Sequence, residues 1–204
     1  MAKLKLKRPQ VGVNGEKLST LNLETLCALY SEFDDSALAG DTLRQSALEF
    51  HRVIASVFRQ VALVPFRFPN LLKTREELEA HLRANLQKYQ SFLERTRDAV
   101  QMEIVLPNPM PTPVEVERKT GGSEYLRAKQ QKSQAVTKVA NAIVEKVRDL
   151  ALDTRSTGSR VYLLVPRARI DELRAQLKDF DEVRISGPWP AAEFLEETRQ
   201  APGS

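Results

Sequence analysis

The sequence predicts an α+β protein, and three stretches carry that prediction. RVYLLV at 160–165, RARIDELRAQLKDF at 167–180 and EVRISG at 182–187 read in succession as strand, helix and strand. That is the order of a split βαβ half of a small α+β sandwich. In its helix, Ile170, Leu173, Leu177 and Phe180 fall on one side. Upstream, Leu78, Leu82, Leu86, Tyr89 and Leu93 form a single stripe, and QMEIVL at 101–106 alternates as a strand does. With 204 residues, the chain makes one compact domain or two small ones.

Taken in order, residues 1–17 read as a basic, disordered leader, with Gly12, Asn14 and Gly15 as turn material. Leu21, Leu26, Leu29 and Tyr30 suit a short helix or a helix–strand junction, which periodicity does not separate. Leu43, Ala47, Leu48, Ile54, Val57 and Phe58 predict a helix over 42–59. VALVPFRF at 61–68 reads as an irregular or edge strand, because Pro65 cannot donate to a ladder. Thr74 and Glu77 have capping-box spacing and open a helix over 75–97. PNPMPTP at 107–113 carries a proline at every second residue and forms a stiff connector, and VEVERK at 114–119 reads as a short exposed strand. Val136, Val139, Ala140, Ile143, Val144, Val147 and Leu150 predict a long helix over 124–151, broken by Thr154 to Ser159. Gly187, Pro188, Trp189 and Pro190 read as a rigid aromatic turn that ends the structure, with a flexible tail over 197–204.

Composition argues against most chemistry. A single cysteine, Cys27, excludes an internal disulfide and any all-cysteine metal site. Two histidines, His51 and His81, leave little for a histidine-rich centre. No glycine pattern forms a phosphate loop, no serine sits on a glycine elbow, and the carboxylates lie on solvated helix faces among arginines. No catalytic residue, metal or cofactor is therefore expected. No apolar run approaches the roughly eighteen residues of a membrane span, and the N-terminus lacks the apolar core of a secretory signal, so a cytoplasmic protein without membrane insertion is expected. The net charge of +4 equals the contribution of Lys3, Lys5, Lys7 and Arg8, so the body of the chain is balanced. That balance argues against a nucleic-acid partner, which calls for basic residues concentrated on one face.

Two segments stand out as binding elements. VALVPFRFPN places Pro65, Phe66, Arg67 and Phe68 together, and ISGPWPAAEF places Gly187, Pro188, Trp189 and Pro190 just ahead of Phe194. Prolines beside aromatics hold the backbone extended at little entropic cost, so the rings can serve as fixed anchors for another domain or another protein, or Trp189 can cover the open end of the second sheet within its own chain.

The order FHRVIASVF, VALVPFRF, leucine-striped helix, MEIVL, GGSEYLRAKQ, RVYLLVPRARIDEL, ISGPWPAAEF resembles the GvpF/GvpL family of gas vesicle accessory proteins over residues 20–196. The closing motif is the most specific. Gly187, Pro188, Trp189, Pro190 and Phe194 match it, with Ala191 and Ala192 where proline and tyrosine usually follow. Leu63, Pro65, Arg67 and Phe68 match a second motif, with Pro69 where a glycine often follows; His51 matches the histidine that usually opens its helix, with Arg52 in place of the usual glutamate; and Tyr125 and Leu126 match the third region. The hydrophobic first strand usual in the family is not found before Leu18.

The resemblance implies two domains: an N-terminal ferredoxin-like α+β domain over 18–106, then the 107–113 connector, then a modified ferredoxin-like α+β domain with long packed helices over 114–196. It also implies a non-catalytic accessory role in gas vesicle assembly. The implied partners are the small apolar shell protein (GvpA-type) and other accessory proteins, and the implied location is the gas vesicle. A ferredoxin-like RNA-binding module and a small cytoplasmic enzyme are the competing readings.

Overall fold

A computed structural model describes residues 9–33, 41–106, 122–180 and 183–195, and the chain divides into two compact units, Met1–Asp98 and Ala99–Ser204.

The first unit begins earlier than the sequence predicts. Asn14 and Gly15 both adopt positive φ (55° and 75°), which reverses the chain. The reversal closes with Gly12 N–H donating to the Glu16 carbonyl (2.7 Å) and Leu18 N–H to that of Gln10 (3.1 Å), and it buries Val13. The described part of the expected leader, residues 9–17, is therefore an ordered loop; residues 1–8 lie outside the described residues.

Strands β1 (Ser19–Leu23) and β2 (Leu26–Tyr30) follow as an antiparallel hairpin, with Leu23 opposite Leu26 and Glu24 at φ 52° in the turn. This corrects the reading of the segment as a short helix or a helix–strand junction. Leu21 and Leu23 are buried around an exposed Asn22, a period of two that the sparse leucines had hidden. Helix α1 (Asp41–Phe58) buries Val57 and Phe58 at its end.

The expected single helix over 75–97 is two helices, α2 (Arg75–Ala84) and α3 (Leu86–Arg95). Asn85 interrupts them at φ −112°, ψ 11°, and its side-chain amide donates to the His81 carbonyl (2.9 Å). An asparagine that bonds back to the preceding turn competes with the helical ladder in this way. At the front of α2 the Glu77 N–H donates to Thr74 Oγ1 (3.2 Å), while the Glu77 carboxylate accepts from Lys73 N–H (2.8 Å). The return bond of the capping box thus lands one residue early.

The second unit runs β-α-β-β-α-β: β3 (Ala99–Val105), α4 (Gly122–Lys146), β4 (Asp153–Thr157), β5 (Arg160–Pro166), α5 (Ile170–Gln176) and β6 (Arg184–Trp189). Its sheet has the order β4-β5-β3-β6, with every neighbouring pair antiparallel. Since β5 and β6 each lie antiparallel to β3, they are parallel to one another, and the β5-α5-β6 unit is split by β3. One sheet face is wholly apolar: Val100, Met102, Ile104, Val161, Leu163 and Val165 are completely buried. Ile143, Val147, Leu150, Leu173 and Leu177, from α4, α5 and the turns that end them, belong to the same core.

Three expectations change in this unit. The strand expected to close the N-terminal domain at 106 is instead the central strand of the second sheet, so the division between units falls before Ala99. Its pairing with two strands far downstream has no local signature. The expected break from Thr154 to Ser159 is largely strand β4, turned into β5 at Gly158 (φ 56°). Its polar sequence DTRST fits an edge strand whose outer side stays wet. The expected aromatic turn begins as strand, because β6 continues through Trp189. The connector at 107–113, the segment 114–119 and the tail 197–204 lie outside the described residues.

Candidate functional site

The segment 61–68 of the first unit pairs with no strand among the described residues. Its aromatic rings turn inward on alternate residues. Phe66 meets Tyr89 edge-on (6.0 Å between centroids) and His81 (5.9 Å), and Phe68 lies 5.3 Å from Phe50. His81 Nε2 and the Tyr89 hydroxyl are 2.7 Å apart, and burial pushes the Tyr89 pKa up, so its hydroxyl keeps its proton. Pro65 is half-buried, while Arg67 between the two rings is exposed. His51 is exposed on α1. Tyr125 and Leu126 fall on α4, with side chains outside the described residues.

The closing motif of the second unit is built around a bulge. Gln101 pairs with Trp189 and Glu103 with Ser186, so Met102 alone faces both Gly187 and Pro188. Gly187 sits at φ +122°, and a Cβ there would lie 2.8 Å from Met102 Sδ and 2.9 Å from the Gln101 carbonyl oxygen. Only glycine fits without displacing the neighbouring strand. The Gly187 carbonyl accepts from Arg174 Nη2 of α5 (3.2 Å), which holds the bulge from the helix side.

Beyond the bulge, the chain folds back. Phe194 is 0% exposed with the Arg155 guanidinium 5.5 Å from its ring centroid, Ala191 is buried, and Glu193 N–H donates to Gln101 Oε1 (2.9 Å). Phe194, expected as a docking residue, is a core residue; the short turn Ala192–Phe194 carries its ring inward. Trp189 behaves differently. It is 39% exposed at the end of an edge strand, and its Nε1–H donates to Ser186 Oγ (3.3 Å). Ser186 Oγ in turn donates to Glu103 Oε2 (3.2 Å), and Glu103 Oε1 accepts from Arg160. The Glu103 carboxylate raises the Arg160 pKa, reinforcing a cation at the end of this chain of bonds.

Among the described residues no group of three or more His, Cys, Asp or Glu could hold a metal ion, and no helix is long and apolar enough to cross a membrane.

Compared with known families, the chain matches the model of "Gas vesicle synthesis protein GvpL/GvpF" over residues 2–196. It belongs to the GvpL/GvpF family. Two crystal structures share the fold of this family member. Gas vesicle protein GvpF from Anabaena sp. PCC7120 superposes with a TM-score of 0.68 at 14% identity, over 95% of this chain and 92% of that one. GvpF from Microcystis aeruginosa gives 0.61 at 16% identity, over 92% of each chain. No curated protein matches the sequence.

In this GvpL/GvpF chain the nine expected docking residues thus have different environments. Gly187, Pro188, Trp189 and Pro190 form one continuous piece, with Pro188 and Trp189 exposed. Phe194 belongs to the core beneath them, and Phe66 and Phe68 pack within the first unit. Sequence reasoning missed Glu103, Ser186 and Arg160. The alternation of QMEIVL placed Glu103 opposite the apolar face, but its partners lie 57 and 83 residues away.

Proposed function

We propose that this GvpL/GvpF protein is a non-catalytic accessory factor of gas vesicle assembly. It binds the small apolar shell protein (GvpA-type), together with other accessory proteins, and acts at the gas vesicle. The observation that carries the proposal is Trp189. The ring is 39% exposed on edge strand β6, with its indole N–H bonded to Ser186, so its apolar surface is offered to a partner. Exposed tryptophans of this kind are enriched among the residues that dominate binding energy. An unassembled shell protein presents apolar side chains and unpaired strand edges, and β6 offers both an edge and an anchor. Arg67 is the second candidate contact, as the exposed residue of its motif.

The same reading extends to the architecture. The β-α-β-β-α-β order of the second unit supports a ferredoxin-like domain, and the family membership supports a related one in the first, whose described strands number two.

The test is co-expression with a GvpA-type shell protein, followed by co-purification and size-exclusion chromatography. A soluble complex is expected, and Trp189→Ala is expected to weaken it by about tenfold or more. If Trp189→Ala keeps its fold and leaves both shell-protein binding and vesicle yield unchanged, the docking role of β6 is wrong.

A further inference from the structure

Resting on that reading of Trp189 as the anchor, we propose that Ser186 and Glu103 are positioning residues that hold the indole in its docking orientation. The direction of the bonds is set by chemistry. An indole N–H can only donate, and an ionised carboxylate can only accept. Between them stands the Ser186 hydroxyl, 3.3 Å from Trp189 Nε1 and 3.2 Å from Glu103 Oε2, and a hydroxyl can accept from one while donating to the other. Alanine at 186 can do neither. Arg160 completes the line by bonding Glu103 Oε1.

Backbone geometry explains why these residues meet. Glu103 and Ser186 are cross-strand partners, so their side chains share a sheet face. The bulge then brings Trp189 opposite Gln101, on that same face, three residues after Ser186 instead of two. Glu103 is shielded, its side chain 16% exposed, whereas the Arg160 side chain at the far end is 51% exposed. The line therefore runs from solvent at Arg160, through a shielded carboxylate, to the ring offered at the edge. An aromatic anchor fixed in advance loses less rotational freedom on binding, which is how a polar network remote from the partner can strengthen its capture.

Trp189 is the only tryptophan of the chain, so its fluorescence reports on this ring alone. The experiment compares the full-length protein with Ser186→Ala, Ser186→Thr and Glu103→Gln. It reads indole emission, acrylamide quenching and capture of a co-expressed GvpA-type shell protein, with circular dichroism and thermal melting as fold controls. In Ser186→Ala the emission is expected to shift to the red, quenching to rise and capture to weaken about tenfold. Ser186→Thr restores the hydroxyl and is expected to restore all three. Glu103→Gln keeps the side-chain shape, so it tests the relay even if Ser186→Ala melts early; it is expected to shift emission in the same direction by less. Unchanged emission and quenching in both Ser186→Ala and Glu103→Gln would overturn the proposal. So would normal capture by Ser186→Ala when Trp189→Ala has lost it. If Trp189→Ala itself captures normally, the docking reading has failed, and the emission data still decide whether the relay fixes the ring.

Discussion

At Gly187 a single hydrogen atom stands where any other residue would place a methyl group against β3. The φ of +122° adds a conformational penalty to that collision, so Gly187→Ala is expected to cost about 1–3 kcal/mol. Urea unfolding of the full chain measures it, and an unchanged midpoint would show that β3 yields. Five residues on from Trp189, the buried Phe194 ring predicts a loss of about 3–5 kcal/mol for Phe194→Ala, whereas the partly exposed Trp189 predicts a smaller loss for Trp189→Ala. The two substitutions thus separate buried core from exposed surface within one motif. The sequence shows that motif clearly, but not which of its aromatics turns inward. Trp189 lies between two prolines and Phe194 between Glu193 and Leu195, neighbours that settle neither ring's burial; the register shift against β3, together with the fold-back after Pro190, assigns them opposite roles. Glu103 is harder still to read, since its partners are set by strand order.

Among the elements, the loop before β1 has the clearest electrostatic signature. Asn14 N–H donates to Glu49 Oε2 of α1 (2.6 Å), and the buried Ser46 donates to Asn14 Oδ1 (2.6 Å). The Gln45 side chain, and then the Asn14 N–H, hold the Glu49 carboxyl below its ordinary value of 4.5. Because the folded pKa is the lower one, this stabilisation is complete above pH 4.5 and is lost as pH falls through the depressed value. Glu49→Gln should therefore melt below the parent at neutral pH, with the gap closing in acid; a gap independent of pH would show that the carboxylate charge contributes nothing. The loop was legible only as turn residues, because Asn14-Gly15 announces a reversal without saying what the reversal packs against. The helices were legible from their leucine spacing. The β1–β2 hairpin was not, because four leucines fit a period of 3.6 about as well as a period of two. In the same way, the stripe through 75–97 crosses Asn85 without a gap, and it takes a side-chain bond to His81 to part α2 from α3.

For the whole molecule, the division before Ala99 means that every described strand of the second sheet lies within residues 99–204. That fragment should fold alone, with a cooperative thermal transition and the Trp189 emission of the full chain; a non-cooperative melt would show that the second unit depends on the first. The α+β class and the family were readable from the order of several short motifs along the chain. The boundary was not, because β3 is local to the first unit in sequence and central to the second in space. The outer edge of the sheet carries one more consequence. Pro188 has no N–H, and the bulge beside it disturbs the spacing of the donors that remain. A visiting strand can lie along part of β6, but it meets no unbroken row on which a long flat ladder could grow. Such an interrupted edge works as a terminus, because it gives a long ladder no continuous row of donors on which to form the first layer of an aggregate.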